Sequence, residues 1–322
     1  HVFGNRRKYR LVQASGRELT NLGMPTHEDF VNNIPCPSND SMQNYTHNYQ
    51  YDELGNMLQM QSLNQWTRDY IYDTLTNRLL KHDINDPDVY TYDAHGNMLT
   101  MPHLTAMAWD YLDQLHSTGN GTFTSYYNYD AEGKRTRKIT IKGNIREERY
   151  YINGYEVFRK YINDVIDYER KTINLADDEK VFVRIESKTG ETSLIRYQYD
   201  NHLGSACLEL DELGAIISYE EYHPFGTTSY RSGRTETEVS LKRYKYCGKE
   251  RDEETGLYYY GMRYYAAWLF RFVSVDPLQF KYPELTPFQY ASNNPISMID
   301  LDSKEGVMIS QNLNRNYPEL YK

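Results

Sequence analysis

Tyr51-Asp52-Glu53-Leu54-Gly55-Asn56 recurs as Tyr92-Asp93-Ala94-His95-Gly96-Asn97 and again as Tyr129-Asp130-Ala131-Glu132-Gly133-Lys134. A weaker copy at Tyr72-Asp73 lacks the glycine and has Asn77 near its place, and Trp109-Asp110 exchanges the aromatic. From Tyr51 the intervals are 21, 20, 17, 20 and then 21 residues to Tyr150. A period in this range marks stacked supersecondary units, none of which buries its apolar face alone. Each unit reads as strand, tight turn, strand. Asn48, Gln50 and Asp52 alternate with Tyr49 and Tyr51, and Met57, Leu58 and Met60 resume the strand beyond the turn. Gly55 can adopt positive φ without steric cost. The Asp carboxylate can accept the turn amides, which gives the Asp-to-Gly spacing a structural reason. The unit is therefore a β-hairpin, repeated.

The 322 residues include 33 tyrosines against 10 phenylalanines and 3 tryptophans. Tyrosine has an apolar body and a polar tip, which suits half-wet strand surfaces. A net charge of −9 argues against a nucleic-acid partner, which needs clustered Lys and Arg. The run Lys134-Arg135-Thr136-Arg137-Lys138 has acidic neighbours and reads as the solvated face of a strand. Cys36, Cys207 and Cys247 are too few and too scattered for a disulfide framework. No His/Cys pair has ligand spacing, so neither a metal nor a cofactor is expected, and Cys207 and Cys247 read as buried thiols. Asp83, Asn85, Asp86 and Asp88 lack calcium-loop spacing and read as a polar turn, and His223 before Pro224 reads as a turn residue. No apolar run approaches a membrane span. The chain opens on His1 without a signal peptide, as expected of a fragment of a longer polypeptide.

Four regions follow: an irregular segment over 1–44, in which "RKYRLVQASGREL" can form a strand, hairpin repeats over 45–240, a block of different character over 241–302, and a polar tail over 303–322. Turns are expected at Gly190, Gly204 and Gly214, and a short helix at Pro287 with Thr286 as N-cap. The edge at 45–60 is expected to lack a preceding hairpin. The fold class is all-β: consecutive antiparallel hairpins in a curved spiral sheet, ended by a C-terminal cap.

The string "GKERDEETGLYYYGMRYY" (248–265), with the Tyr-Asp repeats and "YDNHLGSACLELDELGAIISYEEYHPFG" (199–226), closely resembles the repeat-associated core of the RHS/YD-repeat family. The likeness covers about residues 45–302. That family includes polymorphic bacterial toxins, C subunits of insecticidal toxin complexes and the animal teneurins. The resemblance implies a hollow cocoon of spiralling hairpins enclosing a toxic C-terminal segment, with the core block closing one end. A cap of distinct sequence also protects the edge strands of such an array. At this length a partial shell is expected rather than a sealed container.

The resemblance also implies chemistry. Family members that release their cargo cut themselves with two aspartates and an arginine, which match Asp276, Asp300 and Arg263. Two carboxylates held close cannot both ionise, so one serves as acid while the other activates water. The matching bond is Lys304-Glu305. Here Ser303 and Lys304 stand where the family commonly has Gly and Leu, Phe270 replaces a Gly, and Ala266-Ala267 replace Asp-Pro. Three roles stay open: a shell that encapsulates and delivers cargo, an aspartic self-cleaving protease, and a surface module binding glycans or proteins. The implied partners are the chain's own upstream repeats, a C-terminal cargo segment, and secretion-system or toxin-complex proteins. The implied location is secreted or at the cell surface after export from a bacterium.

Overall fold

The computed structural model describes residues 10–34, 36, 41–82, 90–177, 180–188, 190–235, 242–283, 285–300 and 306–308. The Asp83–Asp88 turn and the Lys304-Glu305 bond lie outside them. The chain is built from antiparallel strands, as the repeat predicts. A first sheet joins β1 (Gln13–Leu19), β2 (Met42–Tyr51), β3 (Met57–Ser62) and β4 (Trp66–Asp69) in chain order. Two short ribbons follow, β5 (Ile71–Tyr72) with β6 (Leu79–Lys81), and β7 (Thr91–Tyr92) with β8 (Met98–Thr100).

A long meander comes next: β9 (Ala106–Trp109), β10 (Leu115–Gly119), β11 (Thr124–Tyr129), β12 (Arg135–Lys142), β13 (Ile145–Ile152) and β14 (Tyr155–Ile162). It continues through β15 (Val165–Asp177), β16 (Lys180–Lys188), β17 (Leu194–Asp200), β18 (Ala206–Leu210), β19 (Ile216–Tyr222) and β20 (Thr228–Gly233). Among the described residues these twelve strands form one sheet, each paired with its chain neighbours. The C-terminal block adds β21 (Glu250–Arg251), β22 (Tyr258–Tyr259), β23 (Tyr264–Ala266) and β24 (Arg271–Phe272) as a small sheet. A final ribbon pairs β25 (Met298–Asp300) with β26 (Gly306–Met308).

The repeat sets the turn chemistry. Asp52 Oδ1 accepts the amides of Gly55 (2.7 Å) and Asn56 (2.8 Å), and Gly55 has φ +100°. Asp93, Asp110 and Asp130 each accept the amide four residues on, at 2.8–3.0 Å. Asn201 and Asp211 do the same in the later repeats. Beside each turn the ladder slips by one residue, at Tyr51, Tyr72, Tyr92, Tyr129 and Tyr222. Such bulges bend and twist a strand, so their recurrence at the Tyr-Asp turns curves the array.

In four of these pairs the aromatic residue then ties its unit to the one before. Tyr72 Oη donates to the Met57 carbonyl (3.0 Å), Trp109 Nε1 to Met98 (2.8 Å), Tyr129 Oη to Leu115 (2.7 Å) and Tyr222 Oη to Ala206 (3.1 Å). Every acceptor is the first residue after the preceding turn. Turn side chains add to the ladder: Asn56 Nδ2 donates to Asn77 Oδ1, and Asn97 Nδ2 to Asp113 Oδ1, both at 2.7 Å. The aromatic side chains of these four pairs are thus packed between hairpins, whereas Tyr126, Tyr197 and Tyr199 are exposed.

Four expectations need correcting. The edge at 45–60 is covered, because β1 pairs along β2 from Gln13↔Asn48 to Leu19↔Met42. No α-helix starts at Pro287; only the 3-10 turn Ala291–Asn293 forms. Tertiary partners take the backbone there: the Pro287 carbonyl accepts from Asp276 N, and the Phe288 carbonyl from Phe272 N, both at 2.9 Å. The run Lys134–Lys138 is a solvated face only in part, since Lys134 is exposed but Arg135 is buried and Lys138 nearly so. Cys207 is half-buried, while Cys247 is fully buried with Sγ 3.2 Å from Tyr290 Oη.

The core lies where the C-terminal block meets both larger sheets. Leu257, Tyr258, Tyr260, Tyr264 and Tyr265 are at most 1% exposed. Tyr265 stacks on Tyr290 at 4.3 Å between centroids, and its hydroxyl donates to the Phe225 carbonyl (2.8 Å). Phe225 in turn packs on Tyr49 of β2 and on Phe270. Gly226 has φ +93°, and a Cβ there would meet the Tyr246 ring at 2.6 Å. Tyr129→Phe removes the hydroxyl that reaches the Leu115 carbonyl and Tyr264 Oη. It is expected to cost about 1–2 kcal/mol, read as a lower urea midpoint with an unchanged far-ultraviolet spectrum.

Candidate functional site

The residues aligned with self-cleavage sit in the C-terminal block. Arg263 precedes β23, and its Nη2 donates to Asp276 Oδ2 at 2.9 Å while Nη1 donates to the Pro287 carbonyl at 3.1 Å. The guanidinium lies 3.8 Å from the centre of the Phe272 ring, a cation–π contact that fixes its plane. Asp276 is held in turn by its own loop, since its Oδ1 accepts the Leu278 amide at 2.7 Å. The structure thus brings Arg263 and Asp276 together as a partly buried ion pair. Asp300 is buried on β25 and pairs in register with Gly306 on β26. In sequence it directly precedes residues 301–305, which contain the Lys304-Glu305 bond. Phe270, in place of a family glycine, takes φ +59° while its ring packs on Phe225 at 5.0 Å and Tyr70 at 6.0 Å.

The larger polar feature is one that sequence reasoning missed. The acidic half of "GKERDEETGLYYYGMRYY" turns inward onto the long sheet. Arg135 Nη2 meets Glu250 Oε2 and its Nη1 meets Asp252 Oδ2, both at 2.8 Å, with all three side chains at most 5% exposed. Lys138 Nζ reaches Asp252 Oδ1 (2.9 Å) and Glu254 Oε2 (3.1 Å). Arg243 bridges Glu250 and Glu156. Glu220 is held by Lys245 (3.2 Å) and Lys242 (3.4 Å). Along the inner face the series continues through Arg184, Glu186, Arg196 and Glu209.

Burial pushes the pKa of Glu220 up, but Lys245 and Lys242 outweigh it and hold the group well below the usual carboxylate range. Glu156 and Glu209 follow the same pattern: burial raises them, and Arg243 for the first and Lys242 for the second bring them down. Such pairs hold two surfaces in one register, and a cavity lined by Arg135, Tyr151, Tyr244, Glu250 and Tyr259 opens beside them. The signal available in the sequence was the placing of the charged run Lys249–Glu254 directly against the aromatic run that becomes the core.

No family model matches the chain. It is 31% identical to toxin subunit YenC1 of Yersinia entomophaga over 319 residues, which is 91% of this chain and 32% of that protein. The figures for toxin subunit YenC2 of the same organism are 31% over 322 residues, 91% and 33%. The chain therefore spans about a third of the length of the curated relatives it matches. Among solved structures, the crystal structure of TcdB2-TccC3 matches with a TM-score of 0.82 and 29% identity, over 92% of this chain and 15% of that one.

Two outcomes follow from the buried charges. Arg135→Met leaves Glu250 and Asp252 short of a counter-ion and is expected to cost about 3–5 kcal/mol, measured by chemical denaturation. Because the folded-state pKa values of Glu220, Glu156 and Glu209 are depressed, the stability they contribute is present above their unfolded values and is lost as protons are taken up. The urea midpoint should therefore fall steeply as pH drops below the ordinary glutamate value of 4.5.

Proposed function

We propose that this chain, an RHS/YD-repeat protein of the toxin-complex C-subunit type, is a wall segment of a shell that encloses and delivers a C-terminal toxin or effector. The observation that carries this is the likeness to YenC1 and TcdB2-TccC3, which spans nearly the whole chain, repeats and C-terminal block alike. A wall needs curvature, edges covered by neighbours and ties that survive without a closed barrel. The bulged hairpins, the tyrosine bonds between units and the buried ionic struts supply these. Within that wall, residues 241–302 act as the closing block, and partners would be further repeats of the same polypeptide, its cargo and other toxin-complex components. No helix among the described residues is long and apolar enough to cross a membrane.

A second activity is favoured by one specific observation, the Arg263–Asp276 ion pair together with a buried Asp300 shortly before the Lys304-Glu305 bond in sequence. In this reading Arg263 keeps Asp276 ionised as the base that activates water, and Asp300 is the acid that protonates the leaving amine at Lys304-Glu305.

Limited proteolysis of the longer polypeptide carrying this chain tests enclosure. The segment after the closing block should survive protease levels that digest it when expressed alone, and equal digestion would refute the shell reading. For cleavage, the intact mass of purified chain is compared with that of Asp276→Asn. Loss of the residues after Lys304 in the parent only supports the activity. An uncut parent over days at neutral and mildly acidic pH refutes it without touching the shell reading.

A further inference from the structure

The first and last units of the array meet at a seam. There β1 lies beside β20, and Arg17 of β1 pairs with Glu221 of β19. Directly inside that seam are Glu18 of β1, His47 of β2 and His223 of the turn between β19 and β20. All three are at most 2% exposed. One ligand atom from each lies within 4.8 Å of the others.

Two of the three are already arranged as ligands. His223 Nδ1 is 2.7 Å from Thr227 Oγ1, which leaves Nε2 directed at Glu18 Oε2, 3.0 Å away. Glu18 Oε1 accepts from Gln43 Nε2 at 3.0 Å, so its Oε2 is the oxygen presented to the cluster. His47 is the informative member. It has no exposed surface, and neither ring nitrogen has a hydrogen-bond partner. A buried imidazole left so carries a desolvation cost that native structures seldom retain without a reason.

We propose that Glu18, His47 and His223 form a structural site for a divalent transition metal of the zinc class, stapling the first sheet to the far edge of the long sheet. Two imidazoles and one carboxylate, with water in the fourth position, make a tetrahedral donor set that zinc accepts. Zinc–nitrogen bonds of about 2.1 Å put ligand atoms roughly 3.4 Å apart. The pair Glu18–His223 is already closer than that, and His47 needs to draw in by little more than an ångström. The contacts of Thr227 and Gln43 orient the donors, as outer-shell partners do in metal sites. The metal would join residues from the two ends of the array, a seam where the chain supplies few backbone ladder bonds.

The test uses tag-free chain stripped with a chelator, then titrated with Zn2+ and, separately, Co2+. One equivalent of Zn2+ per chain should survive gel filtration, and Co2+ should give the visible bands of a tetrahedral nitrogen-ligated ion. Zn2+ should raise the unfolding temperature of the parent but not of His47→Leu, whose apolar side chain suits the buried position. Thr227→Val, which leaves every ligand in place, should weaken Zn2+ binding by roughly 10–100-fold. A stoichiometry well below one, a Co2+ spectrum like that of the aqueous ion, or parent-like binding by His47→Leu would overturn the proposal. Should His47→Leu fail to fold, the parent's stoichiometry and Co2+ spectrum decide the question on their own.

Discussion

Four hairpins of this protein depend on a hydrogen bond they cannot make alone, from the aromatic tip of the unit's Tyr-Asp or Trp-Asp pair to the carbonyl just past the preceding turn. The bonds from Tyr72, Trp109, Tyr129 and Tyr222 share this geometry although the donors include both a phenol and an indole. An isolated two-stranded hairpin is marginal in water. A half-buried tyrosine that both packs on the next unit and satisfies its backbone converts a set of marginal hairpins into an array. This explains the period, since donor and acceptor must keep their spacing for every unit to close on its neighbour.

The aspartate serves the same end from inside the turn. By accepting the amides of residues three or four positions on, Asp52 holds Gly55 and Asn56 where the ladder restarts one residue out of step. That slip aims the following strand across the curve of the sheet. His223 occupies the aspartate's place in the last such turn: its amide donates to the Thr227 carbonyl and its ring contacts the Thr227 hydroxyl. The substitution keeps the turn and turns an imidazole into the seam.

Curvature creates an inside, and this chain fills part of it with charge. The aromatic cluster around Tyr265 and Tyr290 supplies apolar burial, while Arg135, Glu250 and Asp252 and their neighbours tie the C-terminal block to the long sheet. Replacing such ion pairs by packed apolar residues is often neutral for stability. Their value here is directional, because oppositely charged groups on two surfaces permit few registers. In a curved array of hairpins, that selectivity matters more than net energy.

What the sequence determined by itself was everything that depends on neighbours a few residues apart. The hairpin period, the turns at Gly55, Gly96, Gly190, Gly204 and Gly214, the all-β class and the family resemblance were legible, because a turn is fixed by its own side chains and amides. The packing of the tyrosines was half legible, since composition marked them as amphipathic but not what their hydroxyls would reach. Tertiary structure alone decided the rest. The run at Lys134 read as solvent-facing until the acidic block folded onto Arg135, and Pro287 lost its helix because Asp276 and Phe272 claimed the backbone around it. Glu18, His47 and His223 lie far apart in the chain and match no ligand spacing, so only closure of the array brings them within reach of one ion. Local hydrogen bonds are written in adjacent residues, whereas contacts across a curved sheet depend on where the curvature carries its ends.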